Sequence, residues 1–174
     1  MEDQAPIRSA LERNVKVVGA RPSVGQGVAV SRASLGPGLS CEVTEGPWRF
    51  SVGMTEKYGG VNNGPNPGVY GRGALASCLA IGYSMWAARL GVPLTSLSVE
   101  VHASYDVRGE LGVDDTVRPG YGEMRCVISI ESDAPEADIR RLAETAERHS
   151  SWLDDLRHPV PVTSSVQLNS VALV

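Results

Sequence analysis

Between Arg72 and Arg89 the chain carries no charged side chain, and this stretch limits the fold more than any other. The spacing predicts a helix over Val69–Leu90, closed by Gly91 at a C-cap position and by Pro93, which cannot continue it. Its apolar residues occur all round the cylinder, and a helix without a polar face belongs in an interior. Leu75, Cys78, Leu79, Gly82, Met85 and Trp86 share one face at spacings of three and four. The uncharged run is shorter than a bilayer span and holds Ser77, Gly82 and Ser84, which argues against a transmembrane segment. One subunit of 174 residues has little else with which to cover such a helix, so a second copy is expected to help.

The flanking segments read as sheet and surface helix. Strands are expected at Val28–Ser34 and Ser40–Glu45, joined by a hairpin turn at Leu35-Gly36-Pro37-Gly38. Trp48, Phe50, Val52 and Met54 alternate with Arg49, Ser51 and Gly53, the period of a half-buried strand. After the long helix, Leu97, Val99, Val101, Ala103, Tyr105 and Val107 alternate in the same way, and Met124, Cys126, Ile128 and Ile130 form the apolar face of a further strand. Asp133-Ala134-Pro135-Glu136 has the form of a capping box opening a helix, with Ile139, Leu142, Ala143 and Ala146 as its stripe. Ser150 points the same way as that stripe, about three turns after Ile139. A last strand is expected near Val160–Leu168. The order is that of an α+β fold, with antiparallel β-sheets wrapped around a central buried helix. Residues 1–24 read as an N-terminal arm, helical over Pro6–Val18, and residues 25–174 as one domain.

Composition removes several functions. Sixteen basic against twenty acidic residues give a net charge of −4, and aromatic residues make up 5%. There is no basic footprint for nucleic acid or an anionic membrane, and too little aromatic surface to stack bases. Three widely spaced cysteines, Cys41, Cys78 and Cys126, argue against a disulfide framework and for a reducing cytoplasm. His102, His149 and His158 lack HxH or HExxH spacing, so neither a metal nor another cofactor is expected. The glycine-rich loop before the long helix resembles a phosphate cradle in composition alone. Pro65 and Pro67 remove two N–H groups there, so a rigid lead-in turn is the better reading. Cys41 and Cys126 fall within strands as small apolar residues, whereas Cys78 follows the loop on the central helix.

The run Gly64-Pro65-Asn66-Pro67, followed by Gly73-Ala74-Leu75-Ala76-Ser77-Cys78, resembles the N-P…A-x-x-A-C pattern of the OsmC/organic hydroperoxide resistance superfamily. The likeness extends from about Val28 to Leu168, including His149-Ser150 and the approach to the final strand, Pro159-Val160-Pro161-Val162. It implies an intertwined homodimer with sites at the subunit interface. It also implies thiol-dependent reduction of organic hydroperoxides, in which one cysteine becomes a sulfenic acid and a second condenses with it.

Position by position, Cys78 corresponds to the attacking cysteine and Ser150 to the resolving one. The family's carboxylate position corresponds to Gly68. Its arginine has no counterpart in Leu35-Gly36-Pro37-Gly38, which leaves Arg72 as a substitute and Arg32 as a weaker one. Three readings follow. The chain is a one-cysteine peroxidase with Cys78 as nucleophile, Arg72 at the thiolate and an external thiol reductant. Alternatively it binds a small hydrophobic ligand along Leu75, Met85 and Trp86, near Ser150. In the third reading it is a cysteine sensor, oxidised reversibly without turnover.

Overall fold

The structure is a computed structural model describing residues 4–173. A central helix, α2 (Pro67–Leu90), organises it. The Asn66 side chain accepts the Val69 N–H at 3.0 Å, and Pro67 occupies the first turn, where its missing N–H costs nothing. At the far end Gly91 takes a left-handed conformation, φ 72°, that a side chain would strain. The helix begins two residues before the expected Val69 because the cap and the proline together define its first turn.

Two antiparallel strands, β4 (Ser96–Tyr105) and β5 (Tyr121–Glu131), cover one side of α2. Their register sets Leu97 opposite Ile130, Val99 opposite Ile128 and Val101 opposite Cys126, which puts every apolar partner on one face. The expected alternation fails at its end. The register shifts at Ser104/Tyr105, leaving Tyr105 exposed, and the Asp106 side chain accepts the Arg108 N–H to start a single helical turn, α3 (Val107–Glu110). Helix α4 (Glu136–Arg148) closes the core with Leu142 and Ala146. The anticipated capping box does not form: the cap is Pro135, and Ser132 Oγ accepts the Ala134 N–H instead. One residue separates α4 and its C-cap His149 from α5 (Ser151–Arg157), a helix too short for periodicity to reveal.

A second antiparallel sheet is built from β1 (Arg32–Gly36), β2 (Ser40–Glu45) and β3 (Trp48–Gly53). Strand β1 starts at Arg32, not Val28. Arg32 is the last residue with a partner, Thr44, because β2 ends at the turn through Gly46. The hairpin turn accordingly falls at Pro37-Gly38-Leu39, with Leu35 and Gly36 inside the strand. The loop from Gly59 to Asn66 folds back on this sheet, with Gly53 N–H donating to Pro65 O at 3.1 Å and Asn62 N–H to Met54 O at 3.0 Å. Gly60 lies so close to the Met54 carbonyl that no side chain fits.

The final strand is also shorter than expected. Among the described residues β6 (Gln167–Leu168) and β7 (Val171–Ala172) pair with each other, Val166 O accepts the Leu173 N–H at 2.8 Å, and Val160 and Val162 stay exposed outside any strand. At the other end α1 (Ala5–Ala20) extends the expected arm helix by one residue at its start and two at its end. It lies across α2, with Arg8 Nε donating to Ala88 O at 2.6 Å. The result is an α+β fold of antiparallel sheets around α2. Among the described residues no helix is long and apolar enough to cross a membrane.

Candidate thiol site

Cys78 sits on the flank of α2 that faces the start of α5. Its Sγ lies 3.5 Å from Ser150 Oγ and 3.9 Å from Ser151 Oγ. Ser150 is the N-cap of α5, and its oxygen accepts the Leu153 N–H at 3.4 Å, which leaves its own O–H to donate to the sulfur. Burial opposes charge on Cys78, but Ser150, the Trp152 and Ser151 N–H groups and the Ser151 hydroxyl outweigh it and hold the thiol below its ordinary value. The arrangement favours the thiolate, the nucleophilic form of cysteine. Ser150 is buried, with 4% of its surface exposed, but it lies beyond the end of α4 as the extended N-cap of α5, so its burial does not come from helical spacing after Ile139.

Arg72 is turned elsewhere. Its Nη1 donates to Tyr121 OH at 2.7 Å, and Tyr121 OH donates to Gly68 O at 3.3 Å. Six residues of helix between Arg72 and Cys78 amount to about 9 Å of rise, so the guanidinium meets β5 and not the sulfur. Among the described residues the groups that act on Cys78 are hydroxyls and amides. Arg32 lies exposed on β1. Gly68 offers little room for a side chain: a Cβ there would stand 3.1 Å from both Arg72 and Tyr121.

The other predicted positions separate. Leu75 is buried at a cleft of about 620 Å³ between β5, α2 and α5, lined also by Leu79, Met124, Cys126 and Leu153. Met85 lies on the uncovered side of α2, and Trp86 packs its ring on His149 with centroids 4.6 Å apart. Cys126 differs from Cys78 in chemistry, because burial and the Glu147 carboxylate push its thiol up and keep it protonated. Glu147 is ion-paired with Arg157 at 3.1 Å and receives the Tyr83 hydroxyl at 3.5 Å. Burial and that carboxylate raise Tyr83 to about 12. Sequence reasoning missed Ser151, Trp152 and Tyr121. The one available signal was Ser150-Ser151 ahead of Trp152-Leu153-Asp154, a helix start recognisable by its cap alone. All three cysteines are free, and among the described residues no group of His, Cys, Asp or Glu is arranged to hold a metal ion.

The family described as OsmC-like protein matches residues 60–165. Among solved structures, an OsmC-like protein from Mycoplasma pneumoniae is similar with a TM-score of 0.65 at 16% identity, covering 77% of this chain and 90% of its own. An OsmC-like hydroperoxide resistance protein from Jannaschia sp. has a TM-score of 0.51 at 18% identity, covering 83% and 94%. An organic hydroperoxide resistance protein from Vibrio cholerae, with captopril in one of its active sites, has a TM-score of 0.52 at 16% identity, covering 85% and 96%. Among curated proteins none matches the chain. At these identities the likeness concerns the fold.

Proposed function

We propose that this chain, which belongs to the OsmC-like family, is a one-cysteine thiol peroxidase that reduces organic hydroperoxides and is recycled by an external thiol. The observation that carries the reading is Cys78 Sγ set 3.5 Å from Ser150 Oγ among further N–H and O–H donors. The thiolate attacks the terminal peroxide oxygen. The O–O bond breaks, the alkoxide leaves and takes a proton, and Cys78 becomes a sulfenic acid. Ser150 has no thiol with which to close a disulfide, so a small thiol condenses with the sulfenic acid, releasing water. A second thiol then frees Cys78 and departs as a disulfide. Arg72 acts in this scheme through Tyr121 and Gly68, at the start of the helix that carries the nucleophile.

The working unit in this proposal is a homodimer in a reducing cytoplasm, with residues 1–24 as an arm on a domain of residues 25–174. The exposed side of α2, where Ile81 is 61% exposed, and the apolar side chains of β1–β3 support that assembly. A second reading, binding of a small hydrophobic ligand, is supported by Leu75 and Leu79 in the cleft, whose lining also includes the charged Arg125, Glu147 and Arg157. Turnover of cumene hydroperoxide with dithiothreitol or a dihydrolipoyl donor separates the two. The peroxidase predicts catalytic consumption that Cys78→Ser abolishes. One equivalent consumed and no more marks a sensor, and no reaction leaves ligand binding.

A further inference from the structure

The donors around Cys78 come from Ser150, in the two-residue turn between α4 and α5, and from Ser151 and Trp152 at the start of α5, and both sulfur contacts are long. A slip of half an ångström would carry Ser151 Oγ, at 3.9 Å, out of reach. Something must hold the turn against α2. His149, immediately before Ser150, is tied on two sides. Its Nδ1–H donates to Thr145 O at 2.8 Å, which fixes the ring to the last turn of α4. The ring itself packs on Trp86 of α2, whose indole also carries the Arg89 guanidinium 4.8 Å from its centroid. Trp86 and Cys78 are eight residues apart on α2, about 12 Å along the axis. The turn therefore meets the same helix at two separate points, once through Ser150 and Ser151 and once through His149.

We propose that His149 is a positioning residue of the thiol site, clamping the α4–α5 turn onto α2 through Trp86 and Thr145 O so that Ser150 and Ser151 stay against Cys78. The role rests on Cys78 being the reactive thiol. His149 touches neither the sulfur nor a substrate, and its effect is on distance. Removing the ring loosens the turn, lengthens the contacts to Sγ and returns the thiol toward the acidity of free cysteine.

The test is the pH dependence of Cys78 alkylation by iodoacetamide in the full chain, with thermal melts as the check on folding. His149→Ala is expected to raise the midpoint by about one unit, roughly tenfold less thiolate below it. His149→Asn keeps a donor for Thr145 O without the ring, and His149→Phe keeps the ring without the donor, so each is expected to recover part of the shift. An unchanged midpoint in a folded His149→Ala protein overturns the role. Should that variant not fold, wild-type midpoints in both the Asn and Phe variants overturn it equally. A wild-type midpoint at or above about 8.5, the value of free cysteine, overturns the thiol reading itself and removes the role built on it.

Discussion

Around α2, Leu75, Leu79, Tyr83 and Leu142 are sealed by β4, β5 and α4, each with 2% or less of its surface exposed. In β1–β3 only Gly53 is buried, and Trp48 stands 72% exposed on a sheet that has regular register and good strand residues. Both regions are locally well formed, so local propensity does not distinguish them. What differs is the supply of covering surface. The chain after residue 66 carries its own cover for one side of α2, while among the described residues much of the first sheet, the stretch of α2 around Ile81 and the segment 158–165 stay exposed. Incomplete burial of this kind, on strands that are otherwise sound, is what the proposed homodimer would cover.

The largest effect should come from attacking the uncovered half. In sedimentation at micromolar concentration the protein is expected to run as a dimer, with buried area in the obligate range above about 2,000 Å². The double change Trp48→Asp with Phe50→Asp should give monomer. If it remains a dimer, the first sheet is not the interface and the contrast drawn here loses its explanation. Next in size is the buried half itself. Leu79→Ala should cost about 2–5 kcal/mol in urea unfolding, because neighbours on α4 and the strands cannot collapse into the space. Leu35→Ala, on exposed β1, should cost less than about 0.5 kcal/mol when measured under monomeric conditions. Similar losses at the two sites would erase the distinction.

The two regions should also separate in alkali. Tyr83 in the folded protein keeps its proton to about 12, against about 10 in the unfolded chain, because burial and Glu147 disfavour phenolate. The group thus contributes stability that is full below pH 10 and is lost as pH rises through 12, about 2–3 kcal/mol in all. Tyr83→Phe should flatten the fall in stability over pH 10–12. An identical pH profile in the variant would mean that Tyr83 is not the group responsible.

The same contrast explains how far the sequence could be read. The helix Pro67–Leu90, the paired strands β4 and β5, and α4 announce themselves because their apolar periodicity is answered within the chain. The ends of β1 and the final strand do not, since a strand's extent depends on which partner lies beside it, and Val28 and Val160 have none here. At the thiol site, Cys78 stood out by its place on the apolar helix and Ser150 by the resemblance. The amides of Ser151 and Trp152 carry no residue-type signal at all, because any amino acid supplies an N–H. Arg72 was the obvious cation by proximity in sequence, yet helix rise and the Tyr121 hydroxyl take it to β5.

The smallest predicted effect lies at the junction of the two regions. Tyr70, on the first turn of α2, donates its hydroxyl to Ser51 O of β3 at 2.6 Å, and its ring packs on Phe50 with centroids 5.0 Å apart. Tyr70→Phe keeps the ring contact and removes only the hydrogen bond, which in this solvent-accessible position contributes about 0.5–1 kcal/mol. Ser51 O faces water and can be rehydrated, so the global melting point should move little. Strand β3 loses one of its ties to the helix, and amide exchange at Phe50 to Gly53 should accelerate several-fold while Leu75 and Leu79 remain as protected as before. Uniform acceleration in both places would mean that the first sheet and the α2 core open as one unit, and that the difference in burial between them has no counterpart in their stability.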